Sequence, residues 1–125
     1  MSSALGYTGR LVCSLGVKDH LSLCDWYVNV LGCKVEFQDQ DAGMSFLATP
    51  VTNVYLDLSQ VEVPAHGGGA TLVWGVQDID SARNQLEEQS VRFDGPTRQL
   101  GQMVRLATFF DPEGNTLMLY QSLTP

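Results

Sequence analysis

Positive charge is scarce in this chain of 125 residues. Seven lysines and arginines stand against fourteen acids, for a formal net charge of -7. A nucleic-acid partner needs a basic surface to displace condensed counterions, so the balance argues against that class of function, and against an anionic membrane surface with it. The deficit is not a tail, because residues 1–62 hold three bases and seven acids and residues 63–125 hold four and seven. No apolar run approaches the roughly 18 residues that a membrane-spanning helix requires. The opening MSSALGYTGR has neither a basic stretch nor an apolar stretch, so no secretory leader is expected. Histidines number two, His20 and His66, and cysteines three, Cys13, Cys24 and Cys33. With no CxxC pair, a zinc ribbon and a redox motif are excluded, and the expectation is reduced thiols in a cytoplasmic protein. There is no G-x-S-x-G elbow, and Gly67-Gly68-Gly69 precedes a strand and lacks a following lysine, so no phosphate loop is read.

What the chain does have is apolar content. Hydrophobic residues make up 44% and charged residues 17%, enough for one folded domain over residues 1–125. Residues 10–17 alternate as a strand, with Leu11, Cys13, Leu15 and Val17 on one face. Asp19 then fits a helix N-cap and Gly32 the position after the helix C-terminus, with Leu21, Cys24, Val28 and Leu31 at helical spacing between them. Strands follow over 35–38, 44–48 and 53–59. Residues 60–69 form a linker rich in glycine and proline breakers. The scheme then restarts, with a strand over 70–76, a helix capped by Asp78 or Asp80 and running to about Gln89, and a strand over 91–94. A loop over 95–102 and strands over 103–110 and 116–121 complete it.

This is an internal repeat. Gly16, Val17, Asp19 and Ser22 recur as Gly75, Val76, Asp78 and Ser81 at a constant offset of 59, and Val35 and Phe37 recur as Val91 and Phe93 at an offset of 56. Each unit, about 9–59 and about 70–123, reads β-α-β-β-β. One such unit leaves a sheet face bare. The predicted fold class is therefore α+β, two βαβββ repeats forming a curved mixed sheet around a shared cleft with helices on the outer face.

The closing Asp111–Gln121 segment, DPEGNTLMLYQ, resembles the signature end of the glyoxalase / bleomycin-resistance / ring-cleaving dioxygenase superfamily. The opening Val17–Gly32 segment, with Asp19, Trp26, Tyr27, Leu31 and Gly32, resembles its first strand–helix unit. The resemblance covers roughly residues 9–123. It implies four ligand positions in metal-dependent members, which fall here on Val12, Asp57, Thr71 and Met118. Of these only Asp57 ligates a hard divalent ion well, since valine cannot, threonine is a weak neutral donor and a thioether suits soft metals. No metal and no cofactor are expected. His20 reads as a solvated surface residue, and His66 would need the linker to fold back.

Strand alternation sorts the remaining candidates. Leu56, Leu58, Leu72, Trp74, Leu117 and Leu119 read as core. Val12, Ser14, Tyr55, Asp57, Thr71, Val73, Met118 and Tyr120 read as cleft, joined by Arg105, Ala107 and Phe109 on the next-to-last strand. The expected ligand-binding set is thus Tyr55, Asp57, Thr71, Arg105, Phe109, Met118 and Tyr120, with Asp57 and Arg105 either contacting a ligand or pairing with one another. No catalytic residue is assigned. The resemblance points to a metal-free small-molecule binding protein of the bleomycin-resistance type, taking a cationic or aromatic ligand as a homodimer. The alternative is a glyoxalase-like lyase, isomerase or dioxygenase with atypical metal ligands.

Overall fold

The repeat becomes visible first at the helix starts. Asp19 and Asp78 both lie in extended backbone, and each carboxylate accepts the N–H of a serine three residues on, Ser22 at 3.1 Å and Ser81 at 3.2 Å. These are the N-caps of helices α1, His20–Leu31, and α2, Ile79–Glu88, so the second cap is Asp78. Helix α1 stops at Gly32, whose φ of 80° is left-handed and suits glycine. The face of α1 that is buried carries His20, Leu23, Cys24 and Tyr27. That stripe is rotated from the predicted one, and Cys24 is the residue common to both.

In this computed structural model the described residues are 5–65 and 70–124. His66 and the three glycines after it lie outside them. The chain divides into two compact units, residues 1–64 and 65–125, and each has its own sheet.

In the first unit, strands β1 (Leu11–Val17), β2 (Lys34–Asp39), β3 (Met44–Ala48) and β4 (Val54–Gln60) are ordered β1-β4-β3-β2. The β1–β4 pair is parallel and the others antiparallel. Helix α1 packs on β2, β3 and β4, over Leu47, Leu56 and Leu58, all fully buried. Each such leucine contributes about 1.5–3 kcal/mol.

In the second unit, strands β5 (Leu72–Gly75), β6 (Arg92–Phe93), β8 (Val104–Phe110) and β9 (Thr116–Ser122) are ordered β5-β9-β8-β6, with a parallel β5–β9 pair. Strand β7, Arg98–Leu100, also pairs with β8. The sequence predicts a loop over 95–102, which contains this segment. Its three residues are all exposed and show no apolar alternation, so backbone pairing alone makes it a strand. Helix α2 packs on β8 and β9, above Ala107, Phe109, Leu117 and Leu119, all buried.

The turn between β8 and β9 sets their register. Asp111 Oδ1 accepts the N–H groups of Glu113 and Asn115, and Asp111 N–H donates to the Asn115 carbonyl. This closure puts Phe110 opposite Thr116 and Phe109 opposite Leu117.

Candidate ligand-binding face

In each sheet one face meets the helix and the other carries the candidate chemistry. Residues registered across a ladder share a face, so the pairing decides membership. On the first unit's helix-free face, Ser14 lies beside Asp57, which lies beside Phe46, which lies beside Phe37. Next to this row run Val12, Tyr55 and Ala48.

Asp57 is the centre of a small polar group. Its Oδ1 accepts the Ser59 hydroxyl at 2.9 Å, and its Oδ2 accepts the Ser14 hydroxyl at 3.4 Å. Beside it the Phe46 and Tyr55 rings stack, with centroids 5.4 Å apart and planes within 9°. The Arg10 guanidinium, from just before β1, sits over the Tyr55 ring at 4.4 Å from its centroid. Phe37 extends the aromatic surface and is 53% exposed. The arrangement is a carboxylate held by two hydroxyls next to an aromatic shelf, which suits a flat molecule with a hydrogen-bonding or cationic group.

The second unit's helix-free face is different. Val73, Met118 and Thr108 form one row, and Gly75, Tyr120, Leu106 and Arg98 the next. The Tyr120 ring lies close against Gly75, where a Cβ would stand 3.1 Å from it and the ring would have to shift by a few tenths of an ångström. Arg92 stacks over Phe110 at 4.9 Å. Thr71 precedes β5 and is exposed.

Two of the predicted contacts are corrected. Phe109 and Arg105 do not share a face with Met118 and Tyr120. Phe109 faces Leu117, is fully buried, and packs on Phe93 with centroids 5.4 Å apart. Arg105 lies on the same side and makes a two-pronged contact with Asp80 in the first turn of α2, at 3.0 and 3.1 Å. Of the two alternatives for Arg105, a ligand contact or a pair with Asp57, neither is seen: its partner is Asp80, and hydrogen bonding to Arg105 holds the Asp80 carboxyl below its usual range. The physical reason is the Asp111–Asn115 turn, which fixes the parity of β8 against β9.

His20 is corrected as well. It is only 2% exposed, and its Nδ1 lies 2.8 Å from the hydroxyl of fully buried Ser45. Gln38 Nε2 donates to the same hydroxyl at 3.0 Å and to Cys24 Sγ at 3.4 Å. Burial pushes the Cys24 thiol up, and the Cys33 thiol up to about 11. These thiols stay protonated at neutral pH and are poor nucleophiles. In the second unit the indole Nε1 of Trp74 is buried with no hydrogen-bond partner among the described residues.

Metal chemistry does not fit the four implied ligand positions. Val12 brings no donor, Thr71 brings a hydroxyl, and Met118 brings a thioether set between Val73 and Thr108. Both oxygens of Asp57 are engaged by serine hydroxyls. No group of three or more metal-ligating side chains occurs among the described residues. No helix among them is long and apolar enough to cross a membrane. Sequence reasoning missed Arg10, Phe46 and Ser59. The Phe46–Asp57 pairing was within reach of the alternation in 44–48 and 53–59, whereas the Arg10 contact leaves no periodic signal.

Residues 9–119 match the family model described as Glyoxalase/Bleomycin resistance protein/Dioxygenase superfamily. Among solved structures, a superfamily member from Sphaerobacter thermophilus DSM 20745 aligns with a TM-score of 0.76 at 27% identity, covering 90% of this chain and 96% of its own. TnmS3, an antibiotic binding protein from Streptomyces sp. CB03234, aligns with a TM-score of 0.76 at 26% identity, covering 96% and 98%. A lactoylglutathione lyase from Agrobacterium tumefaciens aligns with a TM-score of 0.71 at 14% identity, covering 92% and 94%, a likeness of fold alone. No curated protein is significantly similar to the chain.

Proposed function

The chain belongs to the glyoxalase/bleomycin resistance protein/dioxygenase superfamily, and we propose that within it this protein binds a small aromatic or cationic molecule without a metal. The observation that carries this reading is the helix-free face of the first unit. There Asp57, held by Ser14 and Ser59, adjoins the stacked Phe46 and Tyr55 rings. Such a face supplies stacking area and one fixed acceptor, the two things a flat polar ligand needs. The donor sets at Val12, Asp57, Thr71 and Met118 support the absence of metal chemistry. The antibiotic binding neighbour is consistent with ligand binding as the role.

In this reading Tyr55 and Asp57 contact the ligand from the first unit. The working form is a homodimer in the cytoplasm, and a monomer mass by sedimentation at micromolar concentration would remove the dimer from the proposal.

The test is a titration with aromatic compounds of both charges, followed by tryptophan fluorescence. Asp57→Asn keeps the volume and removes the charge. It should weaken a cationic ligand by about 1–3 kcal/mol, the range for a hydrogen bond to a charged group. Elemental analysis of protein purified without chelators should find no stoichiometric metal. One tightly held ion per subunit overturns the reading in favour of a metal-dependent enzyme.

A further inference from the structure

Arg10 holds an unusual place. It directly precedes β1, its N–H donates to Thr8 Oγ1 at 3.3 Å, and its guanidinium rests over Tyr55. No carboxylate pairs with it among the described residues, whereas Arg83 has Glu87 and Arg105 has Asp80. The residue is exposed. A charged side chain with no salt partner, resting on a ring, is held by cation–π attraction and little else. Asp57 stands two residues further along the same strand face, about 7 Å away at ordinary strand rise. The Tyr55 shelf therefore already carries a flat cation, supplied by the chain itself.

We propose that Arg10 is a resident competitor: in the free protein its guanidinium occupies the place over Tyr55 that a planar, delocalised cation takes when it binds. The inference rests on the binding function proposed above and specifies its ligand class. A guanidinium is flat and weakly hydrated, whereas an ammonium is a compact, strongly hydrated point charge. A ring that accepts the first will favour flat cations over ammonium compounds of equal charge. A cation arriving at Tyr55 must displace Arg10, so the wild-type chain binds it less tightly than its shelf allows. An anionic ligand would do the opposite and recruit Arg10 as its partner.

The experiment uses proflavine as a planar cation and 1-anilinonaphthalene-8-sulfonate as an aromatic anion, titrated into wild type, Arg10→Ala and Lys34→Ala. Lys34 is a suitable control because it shares the face across Ala48, about 10 Å from Tyr55, and its loss changes net charge equally. Arg10→Ala should tighten proflavine about two- to fivefold, the size of an exposed cation–π contact, and Lys34→Ala should tighten it less. Equal gains in the two variants, or unchanged or weaker proflavine binding in Arg10→Ala, overturn the inference. A readout without ligand accompanies this. The Arg10 δ-methylene protons should resonate upfield in the free protein, from the Tyr55 ring current, and move back in Tyr55→Leu and on adding proflavine. Ordinary shifts in the free protein overturn the inference whatever binds. If no variant binds either compound, the binding function fails as well. If the anion binds and Arg10→Ala gives no gain with the cation, this inference fails alone.

Discussion

Phe109 is the sharpest test of which side of β8 faces the helix. As a ligand contact its loss would cost affinity and little stability. As the structure places it, opposite Leu117, fully buried and against Phe93, the balance reverses. Burying a phenylalanine side chain is worth about 1.5–3 kcal/mol. The tilted Phe93 pair, with planes 35° apart, adds about 0.5–1.5 kcal/mol. A cavity that only partly collapses adds more, and Phe→Ala in cores costs about 3–5 kcal/mol in all. Phe109→Ala should therefore lower stability by about that amount, with Phe109→Leu retaining most of it. Urea unfolding followed by circular dichroism reads the change as a fall in midpoint at constant slope. Proflavine affinity, measured well below the midpoint, should not change. A stability loss under about 0.5 kcal/mol, the range of ordinary surface substitutions, with a clear loss of proflavine binding, would refute the assigned face.

The remaining predictions concern buried polar groups. Ser45→Ala removes the hydroxyl shared by His20 and Gln38 and should cost about 1–3 kcal/mol, read by the same unfolding assay, because a buried group loses its partner. Cys33 is held protonated up to about pH 11, against an ordinary value of 9. Its contribution to stability is full below the ordinary value and is lost as pH rises through the folded value, so the urea midpoint should fall between those limits and Cys33→Ala should flatten that fall. Asp57→Asn and Arg105→Met should have additive effects on stability, since among the described residues Asp57 bonds to Ser14 and Ser59 and Arg105 to Asp80. Asp80→Asn and Arg105→Met should instead show coupling in a double-mutant cycle.

The positions legible in the sequence are those whose role is local. Asp19, Asp78 and Gly32 announce themselves because capping needs a specific side chain or a positive φ at a fixed place. Leu56, Leu58, Leu117 and Leu119 follow from alternation along a single strand. What escaped depends on a second element. Phe109 and Arg105 alternate correctly along β8, but the sign of the alternation comes from β9 through the Asp111–Asn115 turn. His20 reads as solvated because a polar residue opening a helix usually is, and its buried partner Ser45 belongs to β3, the strand beneath α1. Strand β7 has no pattern of its own and exists by pairing with β8. Arg10 was invisible because a cation over a ring depends on three-dimensional neighbours and not on spacing.

The parallel pairing in each unit has a consequence for how the chain folds. Leu11 meets Val54 only across a helix and two strands, and Leu72 meets Leu117 across a helix and three, while β3–β4 and β8–β9 are joined by short turns. Closing the longer loop costs more chain entropy before any contact offsets it. The hairpins should therefore form first and β1 and β5 dock last, each at the end of its own unit's sheet. Native-state hydrogen exchange would then show the amides of β1 and β5 opening ahead of those in β4 and β9. Equal protection across all four would contradict that order. Arg10 enters β1, so the residue resting on the Tyr55 shelf is carried by the strand that arrives last.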